Sequence, residues 1–203
     1  MATLGFDEKF VVRFLLRHGV GKEDRIIVVL PAGYEENEKA SAALENLKSL
    51  IAKLIPEGAL RVLDVDLSAE PALSIRRIRY AIVEQPFEKV YACLSGGMRA
   101  LILLVVSALF SLRDVSVSVE VEFENFEGMI EIPLSVLGIP KHERWLRILS
   151  LLEEGLGVRA VAGRLGLSPA TVSREVKQMS ALGLVDSDFR LTSEGRFYLM
   201  LHR

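Results

Sequence analysis

Four times in the first 112 residues, a run of four to six mostly apolar residues gives way to a longer stretch with helical periodicity. The runs are Met1–Leu4, Ile26–Leu30, Leu60–Val65 and Lys89–Leu94. The helical stretches are Asp7–His18, Glu36–Leu54, Pro71–Val83 and Met98–Leu112. In the first of these, Phe10 and Phe14, and Val11 and Leu15, recur at the i,i+4 spacing of one helix face. Strands separated by helices are joined by crossovers, so they align in parallel and bury both faces of their sheet. Pro56-Glu57-Gly58 ends the second helix. The first run leaves only four residues before its turn, short for a central parallel strand, and leads one to expect a start upstream of Met1.

From Val115 to Glu124 the pattern becomes strict alternation. Val115, Val117, Val119, Val121 and Phe123 share one face; Ser116, Ser118, Glu120, Glu122 and Glu124 share the other. Met129–Ile132 can pair with this strand through a loop containing Gly128. That predicts a hairpin with one solvated face, at the edge of the sheet.

Gly138-Ile139-Pro140 marks a junction, after which the apolar spacing restarts. Trp145, Ile148, Leu149, Leu152 and Leu156 form one helical stripe, ended by Gly155 and Gly157. Val158, Val161, Ala162 and Leu165 form a second, short one. Gly166-Leu167-Ser168 reads as a tight turn, with Ser168 as N-cap and Pro169 at the first position of a third helix reaching about Leu182. That helix is expected to bury Val172, Val176, Met179 and Leu182 and to present Thr171, Ser173, Arg174, Lys177 and Gln178. Short helix, glycine turn and polar-faced helix make a helix-turn-helix. Leu184-Val185 and Phe189-Arg190-Leu191, joined at Asp186-Ser187-Asp188, suggest a two-stranded wing. A last helix from Ser193 is expected to pack through Phe197, Met200 and Leu201.

Charge separates the two parts. Residues 1–140 hold 15 Lys/Arg against 20 Asp/Glu, a net of −5; residues 141–203 hold 10 against 7, a net of +3. A basic C-terminal domain on an acidic body points to a nucleic-acid contact there. Ser173, Arg174 and Gln178 are of the types that hydrogen-bond base edges, and Lys177 and Arg190 of those that contact phosphates. A winged helix used only for protein contacts is the bland alternative. Only five residues are Asn or Gln, a bias found in thermophiles.

Other features exclude whole classes. A lone Cys93 forms no internal disulfide, and His18, His142 and His202 are too scattered for a zinc site. The longest apolar run, Ala100–Leu112 between Arg99 and Arg113, is short of the ~20 residues a membrane helix needs. With no signal peptide at Met1, the chain is expected to be cytoplasmic. Cys93 reads as a small core residue, Arg76, Arg77 and Arg79 as a solvated helix surface, and Asp64 and Asp66 as strand-end polarity. No Ser-His-Asp or Cys-His spacing indicates a hydrolase.

In an open α/β sheet, ligands bind beyond the carboxyl ends of the strands. Two turns stand there: Thr3-Leu4-Gly5-Phe6-Asp7 and Leu94-Ser95-Gly96-Gly97-Met98-Arg99. Gly96-Gly97 lets a ligand approach the backbone, and the following helix offers free N–H groups and Arg99 to a phosphate. Taken alone, the Gly-Gly pair reads first as permitting a tight strand-to-helix turn. Neither the dinucleotide fingerprint nor a phosphate loop ending in Gly-Lys-Ser/Thr is present.

The segments TLGFDEKF (3–10) and LSGGMRAL (94–101), with the C-terminal winged helix, resemble the CRISPR-associated regulators in which a CARF (CRISPR-associated Rossmann fold) domain precedes a winged helix-turn-helix, closest to archaeal regulators of type I-A loci. The resemblance spans essentially the whole chain. It implies an α/β Rossmann-like domain with a mostly parallel sheet and an edge hairpin at residues 1–132, a linker at 133–142, and a winged helix-turn-helix at 143–203. It also implies an antiviral-defence transcription regulator acting as a homodimer on palindromic double-stranded DNA. A pocket across the two-fold axis would take a cyclic oligoadenylate, foremost cyclic tetra-adenylate, as regulatory ligand, with no cofactor and no metal. Carried over, the ligand residues are Thr3, Gly5, Phe6, Asp7, Ser95, Gly96, Gly97, Met98 and Arg99, with the Pro31-Ala32-Gly33 loop at the same edge. A cyclic ring of phosphates suits two identical helix N-termini facing each other. The alternatives are a ring nuclease that cleaves this signal, with Arg99 and Thr3 as its candidates, and a regulator answering to an unrelated metabolite.

Overall fold

The computed structural model describes residues 1–54, 58–84, 86–112 and 115–203. Pro56, Glu57 and Arg113, read above as a helix stop and the flank of an apolar run, lie outside the described residues. The apolar runs become strands of one six-stranded sheet: β1 (Ala2–Thr3), β2 (Ile26–Pro31), β3 (Leu60–Val65), β4 (Lys89–Cys93), β5 (Ser116–Glu122) and β6 (Met129–Pro133). Helices α1 (Lys9–His18), α2 (Glu38–Ile51), α3 (Pro71–Val83) and α4 (Arg99–Phe110) separate the first five. The helix expected from Glu36 starts later because Tyr34–Glu36 forms a 3₁₀ turn and Asn37 caps α2, accepting from the N–H groups of Lys39 and Ala40.

The strand order is β3-β2-β1-β4-β5-β6, parallel except for the antiparallel β6. Alternate residues of β2 point to opposite faces. Val28 and Leu30 join the core with Val11, Phe14, Leu44 and Leu47 of α1 and α2, while Val29 joins Ile78, Leu101 and Val105 of α3 and α4. The chain winds outward from β1 to β3, then returns to β1's other side as β4. The order therefore reverses between β1 and β4.

One expectation fails at β5. Its polar face was expected to be solvated, but Glu120 is 2 % and Glu122 5 % exposed, and Ser118 is buried with them. The reason lies in α1. Arg17 bonds both carboxylates, Glu120 at 3.2 Å and Glu122 at 3.1 Å; Arg13 holds Glu122 at 2.5 Å, and His18 Nε2 donates to Glu120. Ser118 donates instead to Glu131 of β6. Side chains of the packed helix α1 bond the two carboxylates of this face, and β6 takes up its serine.

The chain divides into two compact units, Met1–Leu134 and Ser135–Arg203. The second holds α6 (Glu143–Glu153), α7 (Val158–Leu165), α8 (Pro169–Ala181) and α9 (Ser193–His202), preceded by α5 (Leu134–Leu137), which begins one residue before it. Residues 133–142, expected as a linker, are structured. Val136 is buried in the second unit's core, and the Tyr198 hydroxyl donates to the Pro140 carbonyl while accepting from His142 N–H, both at 2.9 Å.

Two packing faces differ from expectation. Leu182 lies just past α8 and is exposed. In α9 the buried residues are Gly195, Tyr198 and Leu199; Met200 and Leu201 are exposed. A Cβ on Gly195 would strike the Leu184 carbonyl oxygen, so this glycine sets which face of α9 turns inward. The wing is reduced to a single antiparallel bridge, Val185 to Leu191. Asp186 closes its tip by accepting from the N–H groups of Asp188 and Arg190.

Candidate functional site

The reversal of strand order brings the two glycine turns together. Gly5 meets the Ser95–Gly97 turn backbone to backbone: a Cβ on Gly5 would lie 2.8 Å from Gly97 N, and one on Gly97 would lie 3.3 Å from both Leu4 O and Thr3 Cβ. Gly97 has φ +99°, a conformation that residues with a side chain rarely adopt. The glycines thus have a local structural cause in the close approach of the two loops, and that approach puts the loops side by side at the switch point.

The predicted ligand residues divide into two groups. Thr3 is 0 % exposed and its hydroxyl donates to the Gly96 carbonyl, so it ties one loop to the other. Ser95 Oγ accepts from Glu122 N–H at 2.8 Å and lies 3.5 Å from the Cys93 thiol, whose pKa burial pushes up. Asp7 accepts from Lys9 N–H at 2.8 Å ahead of α1, a bond that foremost holds its carboxyl below the ordinary range. These three side chains frame the loops. Facing outward are Phe6, 65 % exposed, Met98, 52 % exposed, and Arg99, also exposed. Arg99 has no hydrogen bond or ion pair from its side chain among the described residues.

Helix α4 begins at Arg99 with no side chain capping it, so its first N–H groups stay open to a ligand. An exposed guanidinium at an uncapped helix start beside two glycine turns suits an anion. The Pro31-Ala32-Gly33 loop leaves β2 at the same sheet edge, with Gly33 at φ +79°. Asp64 is paired to Arg77 at 2.9 Å and Asp66 is taken up by Ser68; no group of three potential metal ligands occurs among the described residues. No helix there is long and apolar enough to cross a membrane.

Sequence reasoning missed the network in which Arg13, Arg17 and His18 hold the buried Glu120 and Glu122. It reaches the site, because Glu122 both bonds Arg13 and Arg17 through its side chain and anchors Ser95 through its N–H. The signal available in sequence was Arg13 and Arg17 at i,i+4 on a helix whose other face is apolar.

In the second unit, α7, the turn through Gly166 (φ +67°) and α8 form the expected helix-turn-helix. Ser168 caps α8, accepting from Thr171 N–H at 3.1 Å. Arg174, Lys177 and Gln178 are exposed on one face of α8, without side-chain partners among the described residues. Thr171 and Ser173 are half-buried, and the Thr171 hydroxyl is engaged by Ser168 at 2.9 Å. Arg190 is exposed at the wing. Glu175 faces α6, accepting from Arg144 at 2.9 Å and from the Trp145 indole at 2.5 Å.

The sequence profile of the Csa3 CRISPR-associated Rossmann-like domain matches residues 1–133. The chain belongs to the Csa3 family. A helix-turn-helix domain profile matches residues 146–179, from α6 to the end of the outward-facing part of α8. Over 188 residues the chain is 23 % identical to Csa3 of Saccharolobus solfataricus, a CRISPR locus-related protein for which DNA binding is proposed; the match covers 90 % of this chain and 77 % of that one. The Csa3 domain thus takes in all six strands and both glycine turns. The expected resemblance, a Rossmann-like CRISPR-associated domain followed by a helix-turn-helix, is what the comparisons and the topology give.

Proposed function

We propose that this Csa3-family chain is a transcription regulator of a CRISPR locus that binds operator DNA as a homodimer and answers to a cyclic oligoadenylate, foremost cyclic tetra-adenylate. The observation that carries the DNA half is the outward face of α8. Arg174, Lys177 and Gln178 stand exposed and uncommitted on the second helix of a helix-turn-helix, the one that enters the major groove in such domains. Arg174 and Gln178 read bases, Lys177 and Arg190 hold phosphates, and Thr171 and Ser173 flank them. The relative's name supports the same assignment.

The ligand half is supported by the paired turns at the switch point, the open start of α4, Arg99, and the exposed Phe6 and Met98 available to bases. A second copy is supported by α4 itself: from Ala100 to Phe110 it carries no charge, and Leu103, 67 % exposed, and Phe110 lie bare on it. A symmetric pair would double the anion-binding turns around one ring. The chain acts by binding. Of the two residues a signal-cleaving reaction would draw on, Thr3 is enclosed, with its hydroxyl given to Gly96.

The test is to incubate the purified chain with labelled cyclic tetra-adenylate and follow both retention and products. Intact ligand held at micromolar or tighter affinity is expected. Linear products would replace this reading with a ring nuclease, and absence of binding would leave a regulator answering to another metabolite.

A further inference from the structure

The start of α6 and the α7–α8 turn enclose an open notch of about 540 Å³ that the function above does not use. It is lined by Lys141, His142, Glu143, Arg144 and Arg147 and by the apolar Leu165 and Leu167; within α6, Arg144 and Arg147 stand three residues apart and so share one side of the helix. Two of the cations are already engaged: Lys141 with Glu143 at 3.1 Å and Arg144 with Glu175 at 2.9 Å. Arg147 is exposed and has no partner among the described residues. Both carboxylate oxygens of Glu175 are bonded elsewhere, one to Arg144 and the other to the Trp145 indole.

The notch has a defined place beside α8. Leu167 directly precedes Ser168, the cap of α8, and the Arg144–Glu175 bond ties α6 along that flank. A helix-turn-helix inserts the first turns of its second helix into the major groove, whose rims are the two phosphate strands. A free guanidinium that shares a notch with Leu165 and Leu167, beside those first turns, therefore meets a rim and not a base. We infer that the notch seats a backbone phosphate of duplex DNA, with Arg147 as the contacting cation. This inference rests on the DNA-binding reading and adds to it a sequence-independent anchor outside α8.

The test titrates the full chain against two unrelated mixed-sequence duplexes by fluorescence anisotropy across a salt series. Loss of one phosphate contact lowers the slope of log K against log salt by about 0.9. Arg147→Ala is expected to show that drop and to weaken both duplexes by the same factor, while Arg147→Lys keeps most of the slope. Lys22→Ala, an exposed charge removed from the first unit, is expected to leave the slope unchanged and so separates a contact from bulk charge. An unchanged slope in Arg147→Ala alongside a reduced one in Lys177→Ala overturns the notch alone. A wild-type chain without affinity for either duplex overturns the DNA-binding reading and the notch together.

Discussion

Gly195 lies inside α9, where glycine costs about 1 kcal/mol relative to alanine. Helix propensity alone would make Gly195→Ala stabilising. Packing says the opposite, because the added Cβ would meet the carbonyl oxygen and carbon of Leu184. Those are backbone atoms in a buried segment that also accepts Thr192 N–H, so they cannot swing aside as a side-chain tip would. Overpacking of this kind costs about 1–3 kcal/mol beyond any gain in propensity. Gly195→Ala is thus expected to lower the urea midpoint of the second unit. Trp145, the only tryptophan, lies in that unit and reports its unfolding by fluorescence. An unchanged midpoint would mean that α9 does not pack on Leu184 as described. Gly5 and Gly97 are glycines for a related reason, the contact of two loops, and that contact sets the two turns side by side.

Between helices, the contact richest in consequence is that of α6 with α8 through Glu175. Burial pushes the Glu175 pKa up, but the hydrogen bonds from Trp145 and Arg144 outweigh it and leave the carboxyl below its ordinary value. A carboxylate depressed in the folded state stabilises fully above its unfolded pKa, about 4.3, and the contribution disappears as pH falls through the folded value. The Trp145-monitored urea midpoint is accordingly expected to drop as pH goes from about 6 to about 3. Glu175→Gln, which carries no titrating group there, should show a shallower drop and a lower midpoint at neutral pH. Equal pH profiles for the two would remove Glu175 as a strut. Such contacts also mark where sequence reading stops. The alternation of Val117, Val119 and Val121 against Ser118, Glu120 and Glu122 correctly separated the faces of β5, because strand periodicity is local. It gave no information on what covers each face, which depends on α1 bringing Arg13, Arg17 and His18 across the sheet. Likewise Gly5, Gly96 and Gly97 were legible as loop glycines, whereas the inward turn of Thr3 and Ser95 follows from contacts with Gly96 and Glu122 distant in sequence. The helix-turn-helix was the most legible part, since cap, turn and helix are consecutive in the chain.

Each unit has its own core, so a ligand at the first influences DNA binding at the second only if the protein has two states that the ligand binds unequally. On the proposed function, that inequality is measurable from either end. If cyclic tetra-adenylate changes the affinity for operator by some factor, operator must change the affinity for the ligand by the same factor; couplings of this kind are typically about 5- to 150-fold. The expected result is equal factors from two titrations. One measures operator binding by anisotropy with and without saturating ligand, and the other measures ligand retention with and without saturating operator. Leu103→Glu sharpens the experiment. It places a charge on the bare stripe of α4, in the first unit, and leaves the sequence of the second unit, which holds α8, unchanged. Loss of the dimer should then abolish ligand binding, together with any ligand effect, while the single helix-turn-helix retains weak, salt-sensitive affinity for a half-site. Were ligand binding to persist in a monomeric Leu103→Glu variant, the pocket would belong to one copy, and the two-fold arrangement of the anion-binding turns would be wrong. Were the two factors to differ, ligand and DNA would not be acting on one shared equilibrium. If both equal one, the ligand binds both states alike and has no means of moving the DNA-binding units, however tightly it is held.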